Sequence, residues 1–481
     1  MSDSIHGHAM IDGVWCDADS GATIDVLDPA DDRRVGSVPA CGPEETARAI
    51  EAASRAFEPW ASRSARDRAT ILRRLAELLR RDVEDLALIM TREQGKPLAE
   101  ARGEVEYAAS FFDVAAEIAP HRSGAIVPAA APGRRILVTH EPVGVAAIVT
   151  PWNFPLAMIT RKAAPALAAG CTLVVKPDER TPLSAVAFAR RAEEAGMPPG
   201  TVNLVTGAPG PIGETMLADA RVRAISFTGS TEVGRMLMRG ASVHLARPSL
   251  ELGGHAPFLV FEDADLDAAV AAAVACKFRN AGQTCICANR FLVADSIADR
   301  FIERFASGMS LLRSGRGTDP STSIGPLIDD DAVAKVERHV TDALACGGRL
   351  VFGGGRIAID GLADRFFAPT LIDGLDASMA MWREETFGPV AAVRRFADEE
   401  EAIAMANDTE YGLAAYFFTT DASRLLRVAE RLRYGIVGAN DAVPSCAEAP
   451  FGGVKHSGFG REGGPWGFEE FTNLKYVSWR S

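Results

Sequence analysis

VGVAAIVTPWNFPLAMITRKAAPALAAGCTLVVKPDE, residues 143–179, decides the fold. VAAIVT is a short apolar run that turns at Pro151 and Pro155, good helix formers follow from Met158 to Ala169, and TLVVK returns as a second short run. Strands this short, separated by a helix of ten or more residues, lie parallel in a sheet covered on both faces. The rhythm repeats through a helix at 182–195, VNLVTG, a short helix, AISFTG and the helix after Thr231. It predicts an α/β fold of the Rossmann, dinucleotide-binding class. The uncharged span 142–160 is long enough for a membrane helix, but Pro151, Asn153 and Pro155 break it, so a strand, a turn and a helix start fit better.

Upstream, MIDGVW, ATIDVLDP and RRVGSVP alternate as β-like runs with turns, an edge hairpin or meander. From 43 to about 121 the pattern is helical, with Ile71, Leu72, Leu75, Leu78 and Leu79 at three-to-four spacing and Pro97 opening a further helix. Residues 123–141 are rich in Ala, Pro and Gly and end in the strand-like RRILVTHEP, an excursion from the domain. Downstream a second α/β series runs from His255 through APFLVF, RFLVA, a long helix from Ser296, RLVFGG, PVAAVRRF, a helix at 399–406 and AAYFFT. The tail TNLKYVSW alternates like an exposed strand and has two partners open to it, the excursion or another subunit.

A length of 481 residues suggests two or three domains, and 47% hydrophobic with 24% charged residues is an ordinary soluble composition. A net charge of −13 argues against a nucleic-acid or anionic-membrane partner. The start MSDSIHGHAMIDGVW lacks a basic region followed by an apolar stretch, so no secretory signal is expected. Eight scattered cysteines form no disulfide framework, which points to a reducing, cytoplasmic setting. No zinc-type cysteine pairing and no HExxH stands in the chain, and no metal is expected.

KFRNAGQTCICAN (277–289) and LELGG (250–254) carry the chemistry. Helix formers in LDAAVAAAVACKF, capped by Asp263 or Asp265 and ended by Gly282, place Cys285 on the turn beyond a buried element. There a thiol is reachable yet rigidly held, a suitable nucleophile, with Glu251 as the base that later activates water. The plainer reading of Cys285 is a small apolar filler. Asn153 in TPWNFP sits at a strand end between aromatics and prolines, an amide stiff enough to donate to a developing oxyanion, or else a turn-forming Asn. Lys176 and Glu179 in LVVKPDE sit where open α/β sheets bind ligands and suit ribose hydroxyls, unless Lys176 is a solvated strand end. Gly229 and Gly234 in AISFTGSTEVG bracket a strand-to-helix turn whose N–H groups suit a phosphate, although Thr231 stands where the dinucleotide fingerprint wants Gly. Glu385 in EETFGPV is a further carboxylate, beside Phe387, which could pack on a nicotinamide ribose.

TPWNFP, LVVKPDE, FTGSTEVG, LELGG, NAGQTC, EETFGPV and PFGGVKHSGFGREG stand in the order and spacing of the NAD(P)-dependent aldehyde dehydrogenase superfamily, which the chain resembles from about Ile11 to its end. MITRKAAPALAAG and CKFRNAGQTCICANR resemble its succinate-semialdehyde dehydrogenase branch. The resemblance implies a cofactor domain at 1–122 and 142–253, a second α/β catalytic domain at 254–452, and a small β oligomerisation arm at 123–141 and 467–481. It implies that an aldehyde is oxidised to an acid through a thiohemiacetal and a thioester on Cys285, with Glu251, Asn153 and Lys176 as the other catalytic residues. Cofactor contacts are implied at Thr150, Pro151 and Trp152, at Lys176, Pro177 and Glu179, at Gly229, Ser230 and Gly234, and at Leu252, Glu385 and Phe387.

Glu179 resembles the acid of NAD-preferring relatives, whose charge repels a 2′-phosphate, so NAD is expected over NADP. Arg161, Arg279 and Ser445 resemble positions that bind a distal carboxylate, which makes succinate semialdehyde the expected substrate and another short ω-carboxylated aldehyde the alternative. In related enzymes with Cys-x-Cys, as at Cys285 and Cys287, a disulfide forms; an extended segment would point the two thiols to opposite faces. The arm implies a homodimer or homotetramer. A coenzyme-A-acylating enzyme is disfavoured by Glu251, and a non-catalytic protein retaining the fold by the intact Cys, Glu, Asn and Lys set.

Overall fold

The computed structural model describes residues 5–480 and arranges them in two large sheets, two small ones and the helices that cover them. In the first large sheet Arg247–Glu251, Val222–Thr228, Val145–Val149, Thr172–Lys176 and Val202–Leu204 lie side by side in that order, all parallel. The helices Ala157–Ala169, Leu183–Glu194, Pro209–Ala218 and Thr231–Ala241 connect them. Covered on both faces, VAAIV and TLVVK are buried along nearly their whole length. The edges are antiparallel: the hairpin Ala9–Ile11 and Val14–Cys16 on one side, Gly458–Phe459 on the other.

Connection order creates the crevice. From Val145–Val149 the chain moves outward through Thr172–Lys176 to Val202–Leu204, then crosses back and lays Val222–Thr228 on the opposite flank. Where the direction reverses, the two loops leaving the carboxyl ends diverge and leave room for a ligand. Residues 150–153 and 229–230 occupy those loops. The strand Arg247–Glu251 was not foreseen, because RPSLE lacks an apolar run; register with its neighbour makes it a strand, opposing Glu251 to Thr228.

The second large sheet orders Arg349–Phe352, Thr370–Asp373, Val390–Phe396, Ala288–Ala294, Ala256–Val260, Ala414–Phe418 and Ile436–Ala439, all parallel except the first. Its core holds Phe258, Phe261, Phe291, Phe301 and Tyr416, fully enclosed. The helices Asp330–Ala345 and Ala422–Arg431 escaped the sequence reading. In the arm, Thr472–Arg480 pairs antiparallel with Arg134–Pro142, which pairs with Ala125–Val127. Of the two partners open to the tail, it takes the excursion. No described helix is long and apolar enough to cross a membrane.

One expected boundary is corrected. The helix before Cys285 is Leu266–Phe278, four residues shorter than its predicted Gly282 end, with Asp265 capping the N–H groups of Asp267 and Ala268. Asn280, Ala281 and Gly282 then all turn left-handed, at φ 51°, 55° and 76°. Local propensity does not favour such a run, because each non-glycine residue there carries strain. Tertiary hydrogen bonds hold it: Asn280 N–H donates to Glu100 Oε2 (2.8 Å), and Gln94 Nε2 donates to Asn280 Oδ1 (3.0 Å).

Candidate active site

Close contacts at two glycines seat the left-handed turn and Cys285. A Cβ on Gly282 would lie 2.2 Å from Gly388 O, and one on Gly254 would lie 2.2 Å from Cys285 O. The second glycine of LELGG is therefore required for main-chain approach to the thiol loop. Cys285 remains partly exposed, whereas Cys287 is buried, its Sγ 3.5 Å from Lys277 O on the side of the preceding helix.

Two cavities meet at Cys285, the one residue on both walls. The first, about 400 Å³, opens at the crevice of the first sheet and is lined by Pro151, Trp152 and Asn153, by Gly229 and Ser230, by Leu252 and Gly253, and by Glu385 and Phe387. Trp152 and Phe387 stand edge to face at 5.7 Å. Ser230 caps the helix Thr231–Ala241 at this wall, so a helix N-terminus faces the cavity's end. The second cavity, about 310 Å³, is lined by Tyr107, Phe154, Met158, Arg161, Arg279, Thr284, Ser445 and Phe451.

Asn153 is pinned from several sides. Its main-chain oxygen accepts from Lys96 Nζ at 2.8 Å and from Asn280 Nδ2 at 3.0 Å, and its own Nδ2 donates to Gln283 O at 3.0 Å. Lys96 is buried against Glu104, whose other oxygen accepts the Leu156 and Ala157 N–H groups at 3.1 Å each. Burial drives the Lys96 ammonium below its usual range, against the pull of Glu104. Among the described residues the Cys285 N–H finds no acceptor, so this donor and the second hydrogen on Asn153 Nδ2 are both available beside the thiol.

Charge around the thiol is enclosed. Burial pushes Cys285 up to about 12, opposed by the Arg161 cation. Arg161 Nε lies 2.7 Å from Glu462 Oε2, an ion pair off the hydrogen-bond axis, while Arg161 Nη2 has no acceptor. Lys162 pairs with the same Glu462, and its Nζ also donates to Thr228 Oγ1 at 2.7 Å. Burial, then the Glu462 charge, raises Glu251 well above the carboxylate range. Burial brings Glu385 to about 7 while its Oε1 accepts the Gly254 N–H at 3.0 Å.

Several expected residues stand apart from the two cavity walls. Glu251 is 2% exposed and lines neither cavity; both of its oxygens lack a hydrogen-bond partner. Its strand end lies between Thr228 and Gly458, where the Arg161 and Lys162 cations attract its charge. Thr150, Lys176, Pro177 and Glu179 also lie off the first cavity's wall, and Lys176 Nζ is held by Glu179 Oε2 at 3.0 Å. Gly234 offers no donor, because its N–H already bonds Ser230 O at 3.0 Å; a Cβ there would meet Leu252 at 2.5 Å, so its role is close packing. Arg161, Arg279 and Ser445, scattered in sequence, share one cavity wall.

The sequence reading missed Lys96, Glu104, Tyr107 and Glu462. Glu104 had a signal, since it shares a helix face with Ala101, Val105 and Ala108, all buried. Tyr107 OH lies 2.5 Å from Ser445 Oγ, across 338 residues, with no local signature at all.

The family described as "Aldehyde dehydrogenase family" matches residues 15–477. The chain is 52% identical to succinate-semialdehyde dehydrogenase [NADP(+)] of Escherichia coli K12, covering 98% of this chain and 97% of that one. It is 50% identical to glutarate-semialdehyde dehydrogenase of Pseudomonas aeruginosa, over 98% of this chain and 96% of the relative. A solved succinate-semialdehyde dehydrogenase from Burkholderia pseudomallei superposes with a TM-score of 0.97 at 51% identity, covering 99% and 98% of the two chains.

The Lys96–Glu104 pair supports the Asn153 loop, so Lys96→Met is expected to destabilise the protein by about 3–5 kcal/mol through the carboxylate left buried alone. The first transition in urea moves to lower concentration. An unmoved transition would mean that the pair carries no structural load.

Proposed function

This chain belongs to the aldehyde dehydrogenase family, and from that premise we propose that it oxidises a short aldehyde bearing a distal carboxylate, succinate semialdehyde first, to the acid. One observation carries the reading: Cys285 is common to a crevice cavity suited to a dinucleotide and to a second cavity whose wall holds a buried guanidinium nitrogen without an acceptor. Arg161 and Arg279, with Ser445 braced by Tyr107, would take the substrate carboxylate.

The first cavity fits a nicotinamide dinucleotide in its parts. Ser230 and the helix N-terminus behind it suit a phosphate, Trp152, Leu252 and Phe387 offer apolar walls, and Glu385 suits a ribose hydroxyl. When bound, the dinucleotide supplies a hydride acceptor. Lys176, at the carboxyl end of the strand Thr172–Lys176, and Glu179, which pairs with it, are proposed for the outer ribose. The Glu179 carboxylate opposes a 2′-phosphate, so NAD is the preferred form, unlike the form named for the Escherichia coli relative.

The Cys285 thiol proton passes through Glu251 to solvent as Sγ bonds to the aldehyde carbon and the carbonyl electron pair moves onto oxygen, and Asn153 Nδ2 with the Cys285 N–H hold that oxyanion. After hydride loss the substrate is a thioester on Cys285. Glu251 removes a proton from water as the water oxygen attacks and Sγ departs. For this the Glu251 side chain turns out from beside Arg161 and Lys162; its unpartnered oxygens leave no hydrogen bond to break in that turn. Each unit of raised carboxyl pKa also narrows its mismatch with the thiol by about 1.4 kcal/mol.

We retain the proposed division into a cofactor domain (1–122 and 142–253), a catalytic domain (254–452) and an arm (123–141 and 467–481). On the arm Ile126 is 80%, Leu474 67%, Tyr476 62% and Trp479 54% exposed, an apolar surface proposed to seat another copy in a homodimer or homotetramer. Sedimentation velocity is expected to return an oligomer that Leu474→Lys/Trp479→Lys dissociates; a monomeric wild type excludes the assembly.

Substrate choice is tested with aldehydes of matched length, with and without a terminal carboxylate, each assayed with NAD and NADP. Expected are a strong preference for the carboxylated aldehyde and for NAD, and a preference for the carboxylate that Arg279→Ala lowers through KM. Equal use of both aldehyde types would remove the carboxylate reading, and equal use of both dinucleotides the Glu179 reading.

The pH profile tests the catalytic roles. Because burial and Glu462 raise Glu251, its base form fills only as pH climbs above the usual carboxylate range, so kcat falls on acidification at a higher pH than an ordinary glutamate would set. Glu251→Gln loses this limb with most of the turnover. Asn153→Ala keeps the limb but lowers kcat on the order of a hundred- to a thousandfold. A limb unchanged in Glu251→Gln would assign it to another group.

A further inference from the structure

We propose that His6, His8 and Asp17 form a surface site for a divalent transition-metal ion of the zinc class, remote from both cavities. The hairpin builds it. Ala9 pairs with Cys16 across the strands Ala9–Ile11 and Val14–Cys16, so the next positions outward, His8 and Asp17, stand opposite each other. His8 Nδ1 lies 2.9 Å and His6 Nε2 3.5 Å from the same oxygen, Asp17 Oδ1. The two rings stand edge to face, centroids 4.7 Å apart, and one ligand atom from each of the three residues falls within 4.8 Å of the others. An ion bound to nitrogen and oxygen at about 2.0–2.1 Å in a tetrahedron separates neighbouring ligands by about 3.3 Å, midway between the two contacts here.

The remaining nitrogen of His6 is also accounted for. His6 Nδ1 bonds the hydroxyl of buried Ser37 at 3.0 Å, its neighbour in the parallel pairing of Ile5–His6 with Arg34–Pro39. Such a bond fixes the ring and leaves Nε2 as the ligand atom. Gly7, between the histidines, is buried, and a Cβ there would meet Val38 and Val186 at 3.0 and 3.1 Å, so the main chain joining the two rings packs closely on the fold. Among the described residues Asp17 has no lysine or arginine partner; the nearby Arg48 is taken by Asp19 at 2.6 and 2.8 Å. Two imidazoles and one carboxylate leave a coordination position open to solvent, since His6, His8 and Asp17 side chains are 49%, 34% and 62% exposed. The ion would clip the N-terminal strand to the far end of the hairpin. No zinc spacing in the sequence announces the set, because Asp17 joins the histidines only through the hairpin register.

The test is calorimetric titration of the full chain, free of any histidine tag and stripped with chelator, with zinc chloride at neutral pH under reductant. Wild type is expected to bind one more equivalent of Zn²⁺ than His6→Ala or His8→Ala, and Ser37→Ala to weaken that equivalent by about 10- to 100-fold. The variants keep wild-type turnover, which shows them folded, because none lines either cavity. Equal stoichiometry and affinity in wild type and both histidine variants overturns the site, as does the absence of any saturable zinc uptake.

Discussion

Contact of main chain with main chain around Cys285 is the constraint on which the rest depends. Gly254 and Gly282 each let a carbonyl come where a methyl group would collide, and three left-handed residues in a row turn the chain into that slot. Strain of this kind persists only where surrounding bonds over-determine it, and here Glu100, Gln94 and Asn153 all hold the turn. The result is a thiol on a rigid post at the junction of two cavities, one belonging to the crevice of the first sheet and one to the helices beside it.

Buried charge is the second organising feature. Lys96 with Glu104 braces the Asn153 loop, and Arg161 with Lys162 and Glu462 surrounds Glu251. Ion pairs out of water add little net stability, since desolvation offsets their attraction. Their value is positional: Lys96 holds a main-chain oxygen in place, and Arg161 keeps a donor nitrogen free at a cavity wall. The same enclosure raises both the Cys285 thiol and the Glu251 carboxyl above their ordinary values in water.

The arm and the N-terminal hairpin show how strands outside the large sheets are put to use. Thr472–Arg480 finds its partner across more than three hundred residues, and the pairing leaves apolar side chains outward. At the other end of the chain, the register of a hairpin sets His8 opposite Asp17, and a parallel neighbour steadies His6.

By itself the sequence determined the parallel α/β rhythm, the strand ends that carry Asn153 and Lys176, and the loop that carries Cys285. These are local properties: apolar runs of strand length, helix formers between them, and proline or glycine at the turns. The family likeness was legible as motifs, and it singled out Arg161, Arg279 and Ser445, which line one cavity. Only the tertiary structure decided the left-handed turn at 280–282, the strand at Glu251, the packing role of Gly234, and the retreat of Glu251 from the cavity wall. Each of these depends on partners distant in the chain: a carbonyl that excludes a Cβ, a neighbouring strand that imposes register, a packed enclosure that buries a carboxyl. Such forces act between residues only after folding has brought them together, and no window along the chain contains them.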